Sequence, residues 1–277
     1  MAASVSAQVR ELALPNVPDS ITKPADRADY VMLHFWDGMD FSDTTLTAEN
    51  DFMEQNFVNY LSLFPHAHTE CLPTNVNEFL DRAAADVNAY SVVYHLAEKY
   101  LNNTDSPMRD EGYYILFLNH AVDRGALGEA DRERAKFRLE MAVKNRPGTT
   151  APDFRVVTRQ GEEITLRSLL KDGDNIVIFY DPDCDHCSEV MSEIASAPIQ
   201  QSANIIAIDA EEDRQLWDDT NSHLPSEWTV AFALDPIQDD ELYIFPEMPT
   251  IYILDGDATI KVKEATAISN GFNKKSF

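Results

Sequence analysis

The chain has 277 residues, enough for two domains that each bury a core, and its 44% hydrophobic and 25% charged content is that of a folded globular protein. Its formal charge is −26, with 25 acids against 9 bases from Ala151 onward and a smaller acidic excess before it. An acidic surface on both halves repels phosphate backbones and anionic headgroups, which argues against nucleic acid, and no apolar stretch approaches the ~20 residues that span a bilayer.

The segment Met1–Gln8 lacks the apolar core of a signal peptide. Ser4-Val5-Ser6-Ala7 has the small-residue character of a signal-peptide end whose apolar part has been trimmed. An ordinary ragged N-terminus gives the same residues. The first reading makes the protein exported, periplasmic or in the cell envelope; the second leaves it cytoplasmic.

From Pro24 to about Asn145 the pattern is helical. Pro24 suits a first helical turn, and Ala28, Met32, Phe35 and Trp36 follow at helical spacing. Met53, Phe57, Leu61 and Phe64 make a second stripe, ended by Pro65. The run Asn75–Leu101 reads as one or two helices. Ser106-Pro107 is a cap-then-proline start for a helix carrying Ile115, Leu118 and Val122, and Glu129–Lys144 supplies the last, burying Ala135, Leu139 and Ala142. Residues 1–147 therefore read as an all-α domain.

Arg146-Pro147-Gly148 breaks the helical pattern. Residues 148–277 read as an α/β sandwich, with strands at Phe154–Thr158, Asn175–Tyr180, Asn204–Ile208, Thr229–Leu234, Thr250–Leu254 and Thr259–Val262. Helical patterns fall between them, at Cys187–Gln200 and around Asp213–His223.

The chemistry gathers at Cys184-Asp185-His186-Cys187, directly after the apolar run Ile176–Tyr180 and the turn Asp181-Pro182-Asp183. A helix N-terminus offers unpaired N–H groups and about half a positive charge, which stabilise a thiolate, the form that attacks disulfides. Cys184, at the helix start, is expected to attack. Cys187, one turn in and more buried, is expected to resolve the mixed disulfide. A cationic His186 would favour the thiolate, while Asp181, Asp183 and Asp185 oppose it by charge repulsion. A zinc site needs about four ligands, and Cys71, His186 and His223 form no second knuckle. Two cysteines that merely pack are the other bland reading. Cys71 follows His66, His68 and Glu70 on an expected loop, and reads as a free, partly buried thiol with no metal. Trp36, Trp217 and Trp228 read as packing residues.

From Ala151-Pro152-Asp153-Phe154 to Lys263 the sequence resembles the TlpA/ResA branch of thioredoxin-like proteins. The hairpin Gly161–Leu170, Phe179–Cys187 and Met248-Pro249-Thr250 carry the resemblance. It implies a thioredoxin fold and thiol–disulfide oxidoreductase activity with Cys184 and Cys187 catalytic. It also implies that Met248, a cis Pro249 and Thr250, together with Asp183, Asp185 and His186, shape the substrate site. Implied partners are protein dithiols or disulfides and an envelope redox partner; no cofactor is implied. The N-terminal half resembles a helical domain of unknown function fused before such redox domains in exported bacterial proteins. Two departures stand out: Ile178 occupies the place where many relatives carry a buried acid, and Glu264–Phe277 is a short polar stretch where a last helix is usual. A non-catalytic binding or scaffold protein of the envelope is the alternative reading.

Overall fold

The computed structural model describes residues 11–211 and 213–265, and the chain divides into two compact units, Met1–Glu140 and Met141–Phe277. The N-terminal segment Met1–Gln8 and residues 266–277 of the polar tail lie outside the described residues. The division falls a few residues before the 147/148 boundary expected from composition, because the chain after the last helix is already tied to the sheet. Asn145 Nδ2 donates to the Leu242 carbonyl at 2.9 Å, and the Gly148 and Ala151 N–H groups donate to Ile260 and Ala258, each at 2.8 Å.

In the first unit the helices are α1 (Pro24–His34), α2 (Thr44–Thr47), α3 (Asn50–Leu61), α4 (Leu72–Ala83), α5 (Val87–Ala97), α6 (Glu111–Asp123) and α7 (Glu129–Ala142). Their apolar stripes converge on an aromatic core. Trp36 stacks on Phe79 at 4.6 Å between ring centroids, and Tyr60 packs on Phe64 edge-on at 5.3 Å. The run Asn75–Leu101 resolves into α4 and α5, broken by Asp86, whose side chain caps α5 through the N–H groups of Asn88 and Ala89. A π-helical turn at Glu98–Asn102 follows α5.

Three sequence expectations shift here. The stripe expected to run to Pro65 ends as α3 at Leu61, with Phe64 and Pro65 in a separate 3-10 turn. Ser106-Pro107 does not start α6: the Ser106 hydroxyl accepts from the Met108 N–H in a turn, and Asp110 is the N-cap, accepting from the Tyr113 N–H. Leu139 is half-buried, whereas Ala135 and Ala142 are buried as expected.

The second unit is a seven-stranded sheet with strands β1 (Arg155–Thr158), β2 (Glu163–Thr165), β3 (Asn175–Tyr180), β4 (Asn204–Asp209), β5 (Thr229–Ala233), β6 (Thr250–Leu254) and β7 (Ile260–Val262), in the order β2-β1-β5-β4-β3-β6-β7. Strands β3, β4 and β5 pair in parallel and the others antiparallel. The helices are α8 (Leu166–Leu169), α9 (Asp185–Ser196) and α10 (Arg214–Thr220). β3 lies inside the sheet and is buried along its whole length, as its unbroken apolar run requires of a strand covered on both faces. Its alternate residues feed two cores. Val177 and Phe179 pack with Ile206, Ile208 and Tyr252, while Ile176, Ile178 and Tyr180 pack with Ile205, Ala207 and the buried stripe of α9, Cys187, Met191 and Ile194. That second face positions the dithiol.

Candidate active site

β3 ends at Tyr180, and the chain turns at once. The Asp181 side chain accepts from the Asp183 N–H at 2.8 Å and its carbonyl accepts from the Cys184 N–H at 3.2 Å. This turn delivers Cys184 to the N-cap of α9 in extended conformation, where its sulfur accepts the Cys187 N–H at 3.2 Å. The Cys184 sulfur thus occupies the place a serine or aspartate oxygen takes in an ordinary cap, facing the unpaired donors of the first helical turn. Asp185 and His186 are exposed, and the His186 ring lies 4.0 Å from Glu189, one turn along the helix.

Cys187 is 1% exposed. Burial, and then its hydrogen bond with Cys184, push the Cys187 thiol up to about 12. Both cysteines are free thiols. One sulfur therefore sits at the surface held by an N–H, and the other sits beneath it as a neutral thiol.

Across from the helix start, the Met248–Pro249 peptide bond is cis. The Met248 carbonyl lies 3.9 Å from the Cys184 sulfur, which donates to it. Thr250 begins β6 opposite Phe179 of β3, and its hydroxyl donates back to the Glu247 carbonyl. The central antiparallel pair β3–β6 thus holds the Met248–Thr250 turn against the dithiol. Behind Cys187 a cleft of about 330 Å³ opens between Tyr180, Pro182, Met191, Leu224 and Pro225.

Of the residues expected to form the site, the structure brings together Cys184, Cys187 and the Met248–Thr250 turn and leaves Asp183, Asp185 and His186 on the rim. Trp36, Trp217 and Trp228 are buried packing residues. Sequence reasoning missed Asp209. It pairs with Tyr180 at the end of β4, on the sheet face that carries Cys187, and is fully buried. Burial, with the Glu211, Asp181 and Asp213 charges adding to it, raises its carboxyl to about 7, against the hydrogen bond from the Glu211 N–H. The available signal was an acid closing an otherwise apolar strand.

The chain resembles known proteins over part or most of its length. Residues 1–145 match a family described as "Domain of unknown function (DUF5106)". The crystal structure of a thioredoxin-like protein from Bacteroides caccae ATCC 43185 is 28% identical with a TM-score of 0.85, over 94% of this chain and 96% of that one. A conserved protein of unknown function from Bacteroides fragilis is 29% identical over 44% of this chain and 93% of its own, with a TM-score of 0.41. The thioredoxin domain of a thiol-disulfide oxidoreductase from Bacteroides vulgatus is 16% identical over 44% and 90%, with a TM-score of 0.37. No curated protein matches. The likeness to the B. caccae protein extends over both units and gives the architecture: a helical part followed by a thioredoxin-like α/β part.

Proposed function

Because the chain belongs to the DUF5106 family, whose defining domain has no known function, we propose its activity from the sheet unit: it is a thiol–disulfide oxidoreductase acting through Cys184 and Cys187. The observation that carries this reading is the Cys184 sulfur at the N-cap of α9, hydrogen-bonded by the Cys187 N–H with the Cys187 thiol buried behind it.

In the reducing direction the Cys184 thiolate attacks one sulfur of a substrate disulfide. A mixed disulfide forms, and the other substrate sulfur leaves as a thiolate. Cys187 then loses its proton and attacks the Cys184 sulfur, closing the Cys184–Cys187 disulfide and releasing the second substrate thiolate; two electrons pass to the substrate. The oxidising direction is the same sequence reversed. The Met248 carbonyl borders the reacting sulfur, so the Met248–Pro249–Thr250 turn offers main-chain groups to an extended substrate, with Asp183, Asp185 and His186 at the rim. The proposal includes an exported, cell-envelope setting with protein dithiols or disulfides as partners, since protein disulfides persist outside the cytoplasm.

The test removes the resolving thiol. Cys187→Ser should accumulate mixed disulfides with protein substrates through Cys184, visible as reductant-sensitive adducts on non-reducing gels and absent from the double variant Cys184→Ser/Cys187→Ser. If Cys187→Ser traps nothing with reduced or oxidised envelope extracts, the pair is not catalytic and the fold serves as a binding module.

A further inference from the structure

The helical unit holds a second cluster of reactive side chains, remote in sequence from the dithiol. Asp29 of α1, His68 of the turn before α4 and Cys71 at the start of α4 each direct a ligand-type atom to one point. The three atoms lie within 4.8 Å of one another. We propose that Asp29, His68 and Cys71 form a binding site for a divalent transition-metal ion of the zinc class.

The donor set selects the ion. One carboxylate oxygen, one imidazole nitrogen and one thiolate sulfur suit Zn²⁺ and its neighbours, whereas Ca²⁺ and Mg²⁺ favour oxygen alone. Three protein ligands leave a fourth tetrahedral position for water or another ligand.

The surroundings are those of a built site. The Asp29 carboxylate spends one oxygen on the backbone: Oδ1 accepts the His68 N–H at 2.9 Å, which leaves Oδ2 turned to the His68 ring, 2.5 Å from Nδ1. The other ring nitrogen, Nε2, faces Asp26 Oδ1 at 3.8 Å. A ligating histidine characteristically turns its second nitrogen to a carboxylate, and a ligating carboxylate is itself hydrogen-bonded. The His68 carbonyl accepts the Cys71 N–H at 2.9 Å, closing a one-turn loop that holds the two side chains on the same side. Asp26 and Glu70 add negative charge around the point where the ligands meet.

The competing description is an Asp29–His68 ion pair beside an idle thiol. In that state the Asp29–His68 contact is closed by a shared proton, and burial followed by the Asp29 charge pushes the Cys71 thiol up. A metal ion entering the cluster displaces the shared proton and the Cys71 thiol proton. With bonds of about 2.0–2.3 Å the two ligand atoms now in contact separate by roughly 1 Å, a side-chain adjustment. The side chains of His68 and Asp29 are 38% and 18% exposed, so the ion has a way in.

The experiment uses the full chain carrying Cys184→Ser and Cys187→Ser, so that the dithiol cannot compete for metal. Titration with Co²⁺ should give one equivalent bound with a thiolate-to-cobalt charge-transfer band. Adding Cys71→Ser should abolish that band. Adding His68→Ala or Asp29→Asn should weaken binding by more than about tenfold, and Asp26→Asn by about tenfold. Proton release should accompany binding, and Zn²⁺ should raise the melting temperature of the parent but not of the Cys71→Ser chain. A cobalt spectrum without the thiolate band, or a Zn²⁺ stabilisation that survives Cys71→Ser, overturns the site. Asp26→Asn and Cys71→Ser alter partly exposed side chains, which keeps the test independent of folding.

Discussion

Asp209 is the residue whose placement conflicts most with its chemistry. Its carboxyl is fully buried; Oδ1 accepts the Glu211 N–H at 2.8 Å, and Oδ2 has no hydrogen-bond partner among the described residues. The folded-state value is raised from 3.8 to about 7, so below pH 4 both folded and unfolded states hold the proton and the carboxyl has no net effect. Between pH 4 and 7 the folded state binds a proton that the unfolded state has released, so stability falls as pH rises. Above pH 7 the penalty is complete, on the order of 4 kcal/mol. Asp209→Asn keeps an acceptor for Glu211 and carries no charge. Its melting temperature should exceed the parent's at pH 8, and the difference should vanish near pH 4. A difference of equal size at both pH values would mean that the carboxyl is ionised in the fold throughout.

At the scale of elements, the two strands that carry the dithiol turn and the Met248–Thr250 turn were legible from sequence to the residue, while β1, β4, β5 and β7 each differ from the expected run by one residue at an end. Asn175–Tyr180 and Thr250–Leu254 stand as expected, because an apolar run bounded by turn residues has few other ways to be buried. The start of the dithiol helix was equally legible, since the position of Cys184 follows from the strand end and the turn before it, but its end was not: the expected run to Gln200 stops at Ser196, because Pro198 opens a separate 3-10 turn. Other helix starts were less legible. Ser106-Pro107 and Asp110 both carry start signals within one turn's length, and sequence alone does not say which N–H groups each side chain will meet. The structure gives that choice to Asp110. Asp110→Ala should therefore destabilise the helical unit by about 1 kcal/mol, read as a lower denaturation midpoint. Contacts between distant segments were illegible for a plainer reason: His68 and Cys71 are visible as neighbours, but Asp29, on another helix, reaches them only once α1 has folded beside α4. Asp209 escaped notice because an acid after Ile208 reads as the start of a turn rather than the end of a strand.

For the whole molecule, charge governs what can approach. A net −26 spread over both halves sets up a repulsive field for anions, and near the dithiol it is reinforced locally, where Asp183, Asp185 and Glu189 are exposed around Cys184. Such a field acts on encounter more than on the chemical step, because exchange itself requires only sulfur contact. Two disulfide-linked peptides identical apart from flanking lysines or glutamates should then differ in the second-order rate of reaction with the reduced protein. At low ionic strength the lysine peptide should react about tenfold faster or more, a modest share of the range open to electrostatic steering. Raising salt to about 1 M shortens the screening length from about 10 Å to about 3 Å, and the two rates should converge. Stopped-flow measurement at several salt concentrations separates the alternatives: a rate ratio that ignores salt would assign the preference to direct contacts at the Met248–Thr250 turn, whereas a ratio that collapses assigns it to the acidic surface as a selector for basic substrates.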